Sequence, residues 1–310
     1  MPRKIRVTTT SLLVPGGPTL QDNREKARAL LERACASRPD IVCLPETVTS
    51  YGIPYTDVND VAESVPGPFT EMASILARRY GAYIICPVWE RRNGRIYNAA
   101  VLLDRQGQIV GAYDKLHPVA SESYDKFEKG VTPGRAPKVF DTDFGRIGIL
   151  ICFDINWRQE WARLKEMGAE IVFWPSAYDG GLPLQARALD HHYYVVSAVR
   201  KDHARIIDVL SSVLAQTGPY IDIAEAVIDL DKKVFSTDYN LQKLAALRLK
   251  YGRDVTIDMR CDEDMFSLES QRADLSIADL MVEFGMQSWS EYIGKCTAAQ
   301  DAQRLAHIPA

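Results

Sequence analysis

Gly145-Arg146-Ile147-Gly148-Ile149-Leu150-Ile151-Cys152-Phe153-Asp154 is the stretch on which the fold turns. Ile147 to Ile151 is an unbroken run of apolar and small residues, the pattern of a strand buried on both faces, and Cys152 stands at its end. Downstream, Trp157 to Met167 reads as a helix, Ile171 to Trp174 as a strand and Leu184 to His191 as a helix, followed by strands at Tyr193 to Val199 and Asp208 to Leu214. Upstream, Lys4 to Thr9 alternates as a strand, and a helix from Leu20 places Ala27, Leu30, Leu31 and Ala34 on one face. Ile41 to Leu44 is another buried strand, stopped by Pro45, so Glu46 lies at a strand's carboxyl end. A helix around Met72 to Ala77 precedes strands at Tyr83 to Val88, Ile96 to Leu103 and Ile109 to Tyr113. The last two are joined as a hairpin by Asp104-Arg105-Gln106-Gly107, and Lys115 falls just beyond a strand end. The alternation is α/β throughout.

Residues 1–238 are read as one catalytic domain, and 239–310 as a C-terminal extension. In the extension a helix at Leu241 to Lys250 leads into a more charged, less patterned region, expected to pack on the domain or on a neighbouring subunit. The 310 residues suffice for a large core, and 46% apolar and 25% charged residues are ordinary globular proportions. A net charge of -4 provides no excess of base for phosphate, which argues against nucleic acid as a partner. No run approaches the roughly 18 apolar residues of a membrane span, and Met1 to Val14 makes a poor signal peptide, so a cytoplasmic protein is expected. Six cysteines include no Cys-x-x-Cys pair and no histidine at zinc spacing, so no metal is expected.

Three strand ends thus carry a carboxylate, an ammonium and a thiol, and the loops at such ends are where open α/β sheets build their sites. A thiol at its ordinary pKa is mostly protonated at neutral pH, so a nucleophilic cysteine needs a base or a neighbouring cation. Glu46 can serve as proton-transfer base toward Cys152 and later return the proton to a leaving amine. Lys115, with the backbone amide of Phe153, can stabilise the oxyanion formed when a carbonyl is attacked. Neither metal nor organic cofactor is required. Taken singly, Glu46 is an ordinary solvated carboxylate, Lys115 a surface charge and Cys152 a core thiol. Their shared placement and their flanks change that reading.

Leu44-Pro45-Glu46, Tyr113-Asp114-Lys115-Leu116-His117 and Gly145 to Asp154 resemble the three signature blocks of the nitrilase, or carbon-nitrogen hydrolase, superfamily, in its order and at its approximate spacing. Tyr97-Asn98-Ala99-Ala100-Val101 and Ala186 to Leu189 add to the resemblance, which covers roughly residues 3 to 235. It implies a four-layer αββα sandwich, a Glu-Lys-Cys triad of Glu46, Lys115 and Cys152, and homodimers or larger homo-oligomers. The family often has a second active-site glutamate between lysine and cysteine; Glu122 resembles it, with Glu128 as the rival.

The pocket is expected to draw on Phe153, His117, Trp157 and Tyr178, the last in the turn-rich loop Tyr178 to Pro183 that follows a strand. Cys152-Phe153-Asp154 resembles amidase and carbamoylase members more than nitrile-cleaving ones. The run to Trp157 is also similar to that of N-carbamoyl-D-amino-acid hydrolases, which carry consecutive arginines where this chain has Ile155 and Asn156. Neither residue replaces a guanidinium fork, so an N-carbamoyl amino acid is disfavoured unless Arg187, Arg158 or Arg200 takes over. The expected function is therefore cysteine-dependent hydrolysis of a small linear amide or carbamoyl compound through a thioester. Nitrile hydrolysis, acyl transfer through the same intermediate and a non-enzymatic scaffold are the competing readings.

Overall fold

A computed structural model describes residues 3–306 of the chain. The strands of the larger part are β1 Lys4–Thr10, β2 Ile41–Cys43, β3 Tyr83–Arg92, β4 Arg95–Leu103, β5 Ile109–Asp114, β6 Val139–Asp141, β7 Arg146–Ile149, β8 Ile171–Ser176, β9 Tyr194–Val199, β10 Arg205–Ile207, β11 Val213–Gln216 and β12 Ile223–Asp229. Its helices are α1 Leu20–Ala34, α2 Pro68–Tyr80, α3 Arg158–Glu166 and α4 Leu182–His191. They form two six-stranded sheets, ordered β12-β1-β2-β3-β4-β5 and β11-β10-β9-β8-β7-β6.

The burial patterns explain the layering. Every residue of β2, β8 and β9 is buried, as the unbroken apolar runs require of strands covered on both sides. Helix α1 opens on a capping box between Thr19 and Asp22 and buries Ala27, Leu30, Leu31 and Ala34, the face its spacing predicts. These pack with Phe69, Ala73, Leu76 and Ala77 of α2 against Val42, Ile84, Val101 and Leu103 of the first sheet. On the second sheet Leu164 of α3 lies against Gly148 of β7, where a Cβ would stand 2.8 Å from its methyl carbon. The inner faces of the sheets meet through polar as well as apolar groups: the Thr9 hydroxyl donates to the Ser197 carbonyl at 2.5 Å, and Ser11 bridges Val199. The result is the expected αββα sandwich.

Strand direction positions the site. β1, β2 and β3 are parallel, and two antiparallel pairings bring β5 back to the sense of β3. β7, β8 and β9 are likewise parallel. The residues after β2, β5, β7, β8 and β9 therefore all issue from carboxyl ends.

Two local expectations are revised. The strand before Cys152 ends at Ile149, and Cys152 opens a 3-10 turn, Cys152–Asn156, with its own backbone left-handed at φ 46°. Asp208 to Leu214 is not one strand: the Asp208 carboxylate accepts from the Leu210 amide and Ser211 is left-handed, so a turn separates β10 from β11.

The chain divides into two compact units, residues 5–228 and the remaining described residues, 3–4 with 229–306. The smaller unit is patterned. Its strands β13 Lys233–Ser236, β14 Val255–Arg260 and β15 Met265–Ser270 pair antiparallel in the order β13-β15-β14. With α5 Leu244–Tyr251 and α6 Ile277–Phe284 they enclose a core of Phe235, Leu247, Phe266, Leu268 and Leu280; α7 Trp289–Ala306 ends it. Among the described residues no helix is long and apolar enough to cross a membrane.

Candidate active site

Glu46 leaves β2 through Leu44-Pro45 and is held by a turn at Thr47, left-handed at φ 43°. Arg200, the residue after β9, fastens that turn: its Nε donates to the Glu46 carbonyl at 2.7 Å, and its guanidinium also bonds the Thr47 hydroxyl. Lys115 continues the β4-β5 ladder by donating its amide to the Asn98 carbonyl at 2.8 Å, while its own carbonyl accepts from Gly134. Only glycine fits at 134, because a Cβ there would lie 2.2 Å from the Asp114 carbonyl oxygen.

These backbone placements bring Lys115 and Glu46 together. Lys115 Nζ lies 2.9 Å from Glu46 Oε1 and 2.5 Å from Glu128 Oε1, with the lysine 2% exposed. Asn98 Nδ2 donates to both carboxylates, at 2.8 Å to Glu46 and 3.0 Å to Glu128. Burial by itself would neutralise these groups. It is outweighed on Glu46 by Lys115 and Arg200, which hold the carboxyl below its ordinary value. It is outweighed on Lys115 by Glu46 and Glu128, which raise the ammonium well above its own. Both partners are therefore charged at neutral pH.

Cys152 is buried, and that burial, reinforced by the negative charge of Glu46, pushes its thiol up to about 12. Lys115, the Ser176 hydroxyl and the Ala177 amide pull the other way. Asp154 ties the cysteine turn to the lysine strand. Its carboxylate accepts from the Ile151 amide at 2.9 Å, from the Tyr113 hydroxyl at 2.7 Å and from the His117 amide at 2.8 Å. Complete burial nevertheless pushes it up to about 6. The Trp174 indole donates to the Cys152 carbonyl at 3.0 Å, anchoring the turn to β8.

Glu46, Lys115, Glu128 and Cys152 open together on a cleft of about 270 Å³, walled also by Tyr55, Lys129 and Arg200. Glu122 is not there. Residues 121–126 form a loop closed by the Ala120–Phe127 bridge, which leaves Glu122 exposed at its tip and returns the chain so that Glu128, at φ 40°, points its carboxylate to Lys115. Of the two glutamates the sequence offered, Glu128 rather than Glu122 meets Lys115. The four anticipated pocket side chains lie outside this cleft lining. His117 stacks on Trp157 with centroids 3.8 Å apart, and Phe153 packs edge-on against the same indole. Tyr178 stands edge-on to Trp174 and is half exposed. Aromatic partners claim the first three faces, so apolar packing decides their orientation.

Asn98, Lys129 and Tyr55 carried no individual signal in the sequence. Asn98 was visible only as part of a supporting block. Arg200, named from the sequence only as a candidate carboxylate binder, obeys the same strand-end rule as Glu46 and Lys115.

The sequence pattern of the carbon-nitrogen hydrolases matches residues 15–239. The chain belongs to the carbon-nitrogen hydrolase family. Omega-amidase NIT2-B of Xenopus laevis is 26% identical over 87% of this chain and 99% of its own length. Among solved structures, the C. elegans NitFhit protein shares the fold with a TM-score of 0.64 at 22% identity, over 80% of this chain and 63% of that one. Saccharomyces cerevisiae Nit3, a member of branch 10 of the nitrilase superfamily, does so with a TM-score of 0.62 at 21% identity, over 80% and 94%. This carbon-nitrogen hydrolase is thus an enzyme acting on carbon–nitrogen bonds other than peptide bonds, and its αββα sandwich is the superfamily's.

Proposed function

We propose that the protein hydrolyses a small linear amide or carbamoyl compound, with Cys152 as nucleophile, Glu46 as proton-transfer base and Lys115 as oxyanion stabiliser. The observation that carries this reading is the Lys115 ammonium locked between the buried Glu46 carboxylate and the partly buried Glu128 carboxylate in the cleft that Cys152 also lines. An amide, rather than a nitrile, is supported by Phe153-Asp154 after the cysteine and by the relative named an omega-amidase.

The electrostatics shape the order of events. A thiol at about 12 beside a carboxylate held low does not ionise in the empty site. Proton transfer to Glu46 must accompany formation of the sulfur–carbon bond, which makes the sulfur more acidic as it proceeds. Negative charge then moves to the carbonyl oxygen, and Lys115 and the Phe153 amide are the donors that stabilise it in this reading. Collapse of the adduct passes the Glu46 proton to the leaving nitrogen and releases ammonia or an amine. Glu46 next takes a proton from water, whose oxygen attacks the thioester and regenerates the thiol.

Ammonia release from a panel of small amides and carbamoyl compounds tests this. Cys152→Ala should abolish turnover in a protein whose circular dichroism is unchanged, and Glu46→Gln should lower kcat by about 10²-fold or more. Turnover persisting in a folded Cys152→Ala protein rejects the nucleophile and the reading with it.

A further inference from the structure

We infer that the smaller unit holds a second ligand site, a cavity of about 420 Å³ beside helix α7 that takes a small phosphate ester with a hydroxylated body. Its size is ordinary for a small-molecule site, and it shares no lining residue with the cleft around Cys152. Asn240, 2% exposed, fixes two of its walls. The side-chain amide donates to the Ser236 carbonyl at 3.0 Å and to the Gln287 carbonyl at 3.1 Å, and Oδ1 accepts from the Gln287 amide at 3.2 Å. The end of β13 is thereby pinned to the α6–α7 connection. Helix α7 closes the cavity through Tyr292, Lys295 and Cys296.

The charge in the cavity is basic: Lys243 and Lys295 face the single carboxylate of Asp238. Lys243 Nζ donates to the Gly285 carbonyl at 2.5 Å, a neutral acceptor that positions the ammonium without cancelling its charge. Lys295 makes no ion pair among the described residues. Glu291, one turn earlier, accepts from the amide and hydroxyl of Ser288 at 2.9 and 2.8 Å. Other cations of this unit are paired: Lys250 with Glu283, Arg260 with Asp258, Arg272 with Asp254 and Asp274. Two ammoniums left over at one cavity suit a phosphate, which binds compact point charges, whereas a carboxylate is matched best by a planar guanidinium fork.

The remaining polar groups describe the rest of the ligand. Gln287 buries its Nε2 without an acceptor, a cost that an oxygen in the cavity would remove. Asp238 Oδ2 accepts from the Tyr292 hydroxyl at 3.1 Å, while Oδ1 has no partner among the described residues and is free to accept from a hydroxyl. Tyr239, left-handed at φ 59° and 72% exposed, stands edge-on to Tyr292 with centroids 6.0 Å apart, so a ring face is open to a carbon skeleton. Phosphate oxygens for the lysines and Gln287, and a hydroxylated skeleton for Asp238 and Tyr239, together describe a sugar phosphate.

Cys296 lines the same cavity and is partly exposed, so its alkylation reports occupancy; the exposed Cys261 of the same unit is the internal reference. The full chain is treated with iodoacetamide in the presence of ribose 5-phosphate, ribose or succinate at matched ionic strength, and each cysteine peptide is quantified by mass spectrometry. Ribose 5-phosphate should slow Cys296 labelling severalfold and leave Cys261 unchanged, while ribose and succinate should slow neither. Lys295→Gln, on an exposed face of α7, should raise the concentration for half-protection about tenfold, the loss of one charge-assisted hydrogen bond. Lys243→Gln should do the same; because it also uncaps α6, circular dichroism and Cys261 labelling check its fold, and Lys295→Gln gives the reading independently. No protection by millimolar ribose 5-phosphate overturns the site, as does equal protection by ribose or protection that Lys295→Gln leaves unchanged. Equal protection by succinate overturns the phosphate assignment. Ammonia release enters none of these outcomes, so they stand apart from the hydrolase reading.

Discussion

At Lys115 one ammonium serves two carboxylates, and the second of them, Glu128, does for the site what its sequence neighbour Glu122 cannot. Replacing Glu128 by Gln removes one of two charges that raise Lys115 and leaves the ammonium free to shift toward Glu46. A misplacement of about 1 Å at a reacting centre costs about 10²-fold in rate, so Glu128→Gln should show such a loss, while the exposed Glu122→Gln should match the parent enzyme in ammonia release. The Cys152 thiol provides a second measurement. With its value pushed up to about 12, first by burial and then by Glu46, the thiolate fraction is still rising at alkaline pH. Iodoacetamide labelling of the Cys152 peptide, followed by mass spectrometry, should accelerate steadily from pH 8 to 10 without a plateau. Glu46→Gln, which removes a negative charge, should speed labelling at each pH even as it slows turnover. A plateau near pH 8 would mean a thiol at its ordinary value and a different activating environment.

Among the elements, the carboxyl ends of β2, β5 and β7 with the residue after β9 supply the cluster, and the turn after β5 depends on one close approach. A methyl at Gly134 would collide with the Asp114 carbonyl, in the residue before Lys115. Gly134→Ala should therefore cost about 1–3 kcal/mol, the usual penalty of overpacking, and lower kcat as well because the strand end carrying Lys115 must shift. Thermal melts and ammonia release on the same preparation would show the two losses together; a stability loss with kcat intact would place the shift away from Lys115. The central strands were readable because two-sided burial demands unbroken apolar runs, as at Ile41 to Leu44 and Ile147 to Ile151. The break at Asp208 was not, since its carboxylate makes a local turn inside a run whose apolar residues mimic a strand. The unit from Asp229 was also hidden, because Phe235, Leu247 and Phe266 lie far apart in the chain and converge only through antiparallel pairing of β13, β14 and β15.

In the catalytic unit as a whole, the site spans both sheets, and Asp154 is the side chain that couples them: it binds the turn that follows β7 and the chain on either side of Lys115. In Asp154→Asn an amide NH2 would face donors, and each buried donor left unpaired costs about 1–3 kcal/mol. Melting temperature and kcat should both fall, whereas Tyr113→Phe, which removes one of the three bonds, should fall less in each. Equal melting for Asp154→Asn and the parent would remove the claim that this carboxylate ties the sheets. The chain's own residue order determined the α/β alternation, the strand ends bearing Glu46, Lys115 and Cys152, and the membership those blocks announce, because such features arise from local burial patterns and contiguous motifs. Tertiary structure alone chose Glu128 over Glu122, turned His117 and Trp157 onto each other rather than into the cleft, and set Arg200 and Lys129 at its mouth. Those outcomes depend on how loops from distant strands meet across the sandwich, where the Ala120–Phe127 bridge closing a return loop decides which carboxylate reaches the lysine.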